Sequence, residues 1–218
     1  AAEPLRKMAL NGTLAQRLEA ATLLPSLPPD PRTEDTLRQM LNDEHIEVRL
    51  RAYEGLESLG SPMIRRSLVP GRFELHEAPS DYAAIYITQA KAPRVVILGN
   101  AIEVDRPMTL GLWDNALLMK ESPDGDEIEV YHRPGGWGTA EVNRIRPELR
   151  DLILMLSHQP SVEDPTPGLG LTYSQIVGVL HQLWKQQFIA ADFKAQQDRV
   201  LADLRRASVG IEYQPRAE

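Results

Sequence analysis

Moved by 32 positions along itself, the first sixty residues of the chain realign. Leu5 falls on Leu37, Arg6 on Arg38 and Met8 on Met40; further on, Arg17 falls on Arg49, Leu18 on Leu50, Ala20 on Ala52, Leu24 on Leu56 and Leu27 on Leu59. Each copy reads as a short helix, a break and a second helix. Internal repetition at this period is the mark of stacked supersecondary units, none of which can bury its apolar stripe alone. Two copies are fewer than the three or so that such a stack normally needs. The expectation is therefore either further units upstream or an array docked on the domain C-terminal to it.

Thr33 reads as an N-cap, with Glu34 and Asp35 at the positive end of its helix, and Asp43 as the cap of the next. In that next helix Val48, Ala52, Gly55, Leu56 and Leu59 make one stripe at helical spacing, and Gly60 supplies a left-handed stop. The second copy, Asp43 through Val48-Arg49, Ala52, Leu56 and Leu59-Gly60, resembles a HEAT repeat. The resemblance implies that Asp43 and Arg49 tie neighbouring units together. The first copy departs from that pattern: Asn11 replaces the Asp, Gln16 replaces the Val, and Pro25 should end its helix early. Residues 61–68 read as the start of a third unit that stops.

From Phe73 the period changes. Residues 73–77 alternate as a strand, and Tyr82–Thr88 is rich in aromatic and branched residues. Arg94–Gly99 is nearly all apolar and reads as a central strand buried on both faces. Residues 108–113 and 116–120 read as two more strands around a hairpin tip at Trp113-Asp114-Asn115. A strong turn at Ser122-Pro-Asp-Gly125 precedes an alternating strand over 127–131, and a short strand is expected after Trp137. Helices return with Pro147 in the first turn of one whose stripe is Leu149, Leu152, Ile153 and Leu156. Residues 158–171 form a Pro- and Gly-rich loop. A capping box at Thr172 and Gln175 opens a helix striped by Tyr173, Ile176, Val177, Leu180, Leu183 and Trp184, and a last short helix is expected at 196–206. The reading is an α+β chain: HEAT-like helical repeats over 1–68, then over 69–218 a mostly antiparallel sheet with C-terminal helices on one face.

Chemistry is harder to find. Cysteine is absent, which removes disulfides and thiolate chemistry. The net charge of −7 lies mostly in the second part, with no basic stripe of the kind a nucleic-acid binder carries. No apolar run is long enough to span a bilayer. His45, His76, His132, His158 and His181 show no helical metal-ligand spacing, and GxSxG is missing. Gly135-Gly136-Trp137-Gly138 lacks the pattern of a phosphate loop and reads as a link between strands. Asp124, Asp126 and Glu127 cluster at a turn without a complete calcium loop. Trp113, if exposed, is a candidate contact residue. No residue is assigned a catalytic, cofactor-binding or metal-binding role.

Arg72–His76, Ala84–Thr88 and Pro93–Gly99 resemble the region after the helical repeats in planctomycete flagellar P-ring-like proteins, and Thr172–Val177 with Phe188–Phe193 is similar to the last part of those proteins. That resemblance lies in strand and helix patterns over most of residues 41–200. It implies a non-enzymatic structural or protein-binding region of a periplasmic or cell-envelope assembly at the flagellar basal body. The partner it implies is a protein, with no nucleic acid, no membrane span and no cofactor. The alternatives are an adaptor unrelated to flagella that binds a peptide, and a hydrolase or transferase without a readable motif.

Overall fold

The computed structural model describes residues 2–89, 92–133 and 140–196. Among these it is α+β, with six α-helices and two sheets. Helices α1 (Ala2–Asn11) and α2 (Leu14–Leu23) form one antiparallel pair, and α3 (Pro31–Met40) and α4 (Ile46–Ser58) a second. The pairs stack, α1 on α3 and α2 on α4. Pro25 ends α2 as expected, leaving one 3-10 turn over Leu24–Ser26. Gly60 adopts φ +67°, the left-handed stop after α4.

The caps differ from the sequence reading. Asp30, followed by Pro31 at the first helical position, opens α3; Thr33 lies inside the helix and is buried. His45 occupies the N-cap of α4, and Asp43 acts two residues earlier by accepting from the His45 backbone N–H at 2.9 Å. Gln16 breaks the repeat pattern because it closes a capping box with Thr13 at the start of α2.

The segment read as a third repeat is a strand, β1 (Arg65–Val69). It begins a five-stranded sheet with β2 (Phe73–Ala78), β3 (Ala84–Thr88), β4 (Arg94–Leu98) and β9 (Asp192–Ala195), in the order β1-β2-β4-β3-β9. This sheet is mixed: β2–β4 and β3–β9 run parallel, β1–β2 and β3–β4 antiparallel. The second sheet is an antiparallel meander of β5 (Thr109–Leu112), β6 (Leu117–Glu121), β7 (Ile128–His132) and β8 (Glu141–Ile145). The single sheet of the sequence reading is thus two. Gly125, at φ +79°, turns β6 into β7 with its N–H on the Ser122 carbonyl. Helix α5 (Leu149–Ser157) is capped at Glu148, which leaves Pro147 just outside it, and α6 (Tyr173–Lys185) opens on the expected Thr172–Gln175 box.

Period-two alternation sorts the five-stranded sheet into two faces. Ala78, Ala84, Tyr86, Val96 and Leu98 pack with the helical pairs. Leu75, Ile85, Ile87, Val95 and Ile97 pack with α5, α6 and the inner face of the meander. Helices therefore cover both faces: α5 and α6 lie on one, as expected of the C-terminal helices, and the helical pairs cover the other. Full burial of β3 and β4 results from this, and it explains why Arg94–Leu98 carries almost no polar residue. The helical array does dock on the C-terminal part of the chain, and the boundary drawn between residues 68 and 69 falls inside β1. Residues 197–206 of the expected last helix and the 135–138 glycine loop lie outside the described residues.

Candidate binding groove

The described residues form an open groove of about 1230 Å³. It is lined by the end of β1 (Leu68, Val69), by β8 from Val142 to Ile145, by Leu154, Met155 and His158 at the end of α5, and by the loop through Pro167. β1 pairs with β2 and β8 with β7; among the described residues each is the outermost strand of its sheet. Such a strand presents unpaired backbone N–H and C=O groups along its free edge. Leu68 is 71% exposed and Val142 51%, so apolar side chains stand in solvent where the two edges approach the groove. Arg65 and Arg66 on β1, and Glu141 and Arg144 on β8, carry the charge that guards edges against indiscriminate pairing.

The opposite wall is a built loop. The Leu169 N–H bonds the Met155 carbonyl, Gly170 N–H that of His158, and Leu171 N–H that of Leu156, so the return arm runs beside the end of α5. Gly170 sits at φ +60°, and a side-chain carbon at Gly168 would lie 2.4 Å from the His158 carbonyl oxygen, so both glycines are required there. Arg72 pins the loop to the sheet through the Leu171 carbonyl (2.9 Å) and Gln159 (3.2 Å). Arg144 is held by Glu129 at 2.9 Å and Arg146 by Asp151 at 3.1 Å. The Glu129 carboxyl is held below its ordinary range by the Tyr131 hydroxyl, then by Lys120 and Arg144.

His158, Ser157, Ser161 and Asp164 all line this groove, which raises the hydrolase reading directly. His158 Nε2 is 3.7 Å from Asp164. However, Ser157 Oγ donates to the Ile153 carbonyl, and Ser161 Oγ accepts from the Asp164 N–H. Ser157 has thus given its proton to a backbone carbonyl, and among the described residues neither serine is hydrogen-bonded to the His158 ring as a nucleophile on its base would be.

The other histidines are dispersed. His45 lies against Arg17 at 3.0 Å, His132 is opposite Glu141, and His181 packs edge-on to Phe193, itself stacked on Trp184. His76 is wholly buried: Tyr53 Oη is 2.7 Å from Nδ1 and Glu74 Oε2 is 2.9 Å from Nε2. Trp113 is exposed at its hairpin tip, as a contact residue must be, with φ +53°. Among the described residues no group of three or more His, Asp or Glu is arranged to hold a metal ion, Asp124, Asp126 and Glu127 included, and no helix is long and apolar enough to cross a membrane.

Sequence reasoning missed the groove. Its walls are an edge strand mistaken for helix, a short strand expected only as coming after Trp137, and a Pro-rich loop. The one local signal was Arg72, a cation beside a strand start whose partner lies 99 residues away.

No family model matches the chain, and comparison with curated proteins and with solved structures gives no significant match.

Proposed function

We propose that the protein is a non-enzymatic binding module that takes an extended segment of a partner protein in the groove between β1 and β8. The observation that supports it is the pair of sheet-terminal strands lining one cleft with apolar side chains exposed. An added strand would satisfy the free backbone edge, and Leu68, Val142, Ile145 and Met155 would select alternate side chains of the segment. Peptides selected from a random library on the native chain should carry alternating apolar residues and lose at least tenfold in affinity to a Leu68→Glu, Val142→Glu variant. Both positions are exposed, so folding is kept. Selected peptides indifferent to that variant would refute the assignment.

The helical part supports a HEAT-like reading through one contact. Arg17 of the first pair reaches Asp43 of the second, Nε to Oδ2 at 3.0 Å, which is the inter-unit tie the resemblance implies for Asp43. Arg49, at the position equivalent to Arg17, reaches Asp192 of β9 instead, so the sheet stands where a next unit would. Placement of the module in a periplasmic or envelope assembly of the flagellar basal body rests on the resemblance alone. Co-isolation with flagellar basal bodies decides between that and a free-standing adaptor: recovery of the protein in purified basal bodies supports the first, its absence from them the second.

A further inference from the structure

We propose that Tyr53, His76 and Glu74 form an acid-sensitive latch between the helical layer and the five-stranded sheet. Tyr53 belongs to α4, whereas His76 and Glu74 belong to β2, so the chain of contacts crosses the layer boundary. Glu74, as a carboxylate, can only accept, which places the imidazole proton on Nε2 and leaves Nδ1 to accept the Tyr53 hydroxyl proton. The neutral ring thus satisfies both partners at once. Protonation puts a second N–H on Nδ1, facing a hydroxyl that was donating to it. Tyr53 Oη, itself buried, then loses its acceptor.

The charges around His76 differ by element. On its own strand Glu74 favours the imidazolium. From β1, Arg66 is the directly opposite residue and disfavours it. From β4, Arg94 also disfavours it, being held by Glu57 of α4 at 3.1 Å. From β3, Tyr86 packs edge-on to Tyr53 and donates to Glu54 of α4 at 3.1 Å. Burial outweighs the Glu74 contact and holds the imidazole below its ordinary range. The docked state therefore binds the proton less well than a state with α4 lifted. Docking is at full strength above about pH 6.5 and weakens as pH falls below it.

Amide hydrogen exchange of α4, corrected for intrinsic rates, tests this at pH 7.5 and 5.0. Protection over residues 46–58 should fall on acidification, by up to about 30-fold, the limit for a lifted state with an ordinary imidazole. The fall should exceed that in β6 and β7 and should vanish in His76→Gln. Because His45 caps the same helix, persistence of the fall in His76→Gln would overturn the proposal. So would unchanged protection in the native chain, or an equal fall in β6 and β7. Should His76→Gln not fold, the ring resonances of His76 in the native chain decide: a midpoint well below 6.5 supports the latch, and an ordinary midpoint overturns it.

Discussion

Arg49 ties the helical layer to the sheet, not one helical pair to another. The resemblance to a HEAT repeat implies a tie between units for it. The structure gives it two backbone carbonyls, those of Asp43 and Glu44 at 2.9 and 3.0 Å, the Asp192 carboxylate at 2.5 Å, and the Tyr82 ring. Its side chain is 1% exposed and that of Asp192 57%. Removing the two partners should therefore cost different amounts. Arg49→Met leaves a carboxylate that water can reach, whereas Asp192→Asn leaves a buried guanidinium without its counter-charge. Urea unfolding should show Asp192→Asn to be the more damaging, at about 3 kcal/mol against about 2 for Arg49→Met. The reverse order would mean that the carbonyl bonds alone neutralise Arg49. No local pattern near residue 192 could announce this contact, because its partner lies 143 residues away.

At the scale of elements, legibility tracked burial and length. β4 is central, fully buried and apolar along its length, and α6 combines a capping box with a helical stripe; both were legible with nearly correct bounds. β1 and β9 are edge strands of five and four residues with charge in them, so neither shows alternation. The first repeat was legible as two helices, but Gln16 looked like a defect. The capping box makes it a fitted residue, and this yields a test. Gln16→Val restores the repeat pattern and removes the cap bond to the Thr13 N–H at 2.9 Å. It should destabilise the chain by about 0.5–1 kcal/mol in thermal or urea unfolding. A stabilised variant would show that repeat consensus outweighs the local cap. Thr172→Ala, at the box that opens α6, should cost about 1 kcal/mol in the same measurement.

For the molecule as a whole, the helical layer and the sheet share one apolar cluster, which runs from Ala9 to Leu98. A stack of two pairs is stable here because β3 and β4 supply the surface that a third pair would otherwise cover. The unfolding transition of the helical layer should therefore coincide with that of the five-stranded sheet, read by helical circular dichroism and by the signal of Tyr86 on β3 respectively. Separated transitions would mean that the helices fold as an independent unit. The groove formed by β1, β8 and the 158–170 loop draws no residue from the helical layer. The candidate groove was illegible in the sequence. It is made from the ends of elements far apart in the chain, β1 and β8 among them, and each end is polar or irregular taken alone.

Strand addition by a partner in this groove can be read by hydrogen exchange on the native chain, with and without a selected peptide. Backbone amides in 141–145 or 65–69 should exchange more slowly on binding, because a free strand edge gains hydrogen-bond partners there. A peptide that binds while both segments keep their free exchange rates would contradict strand addition.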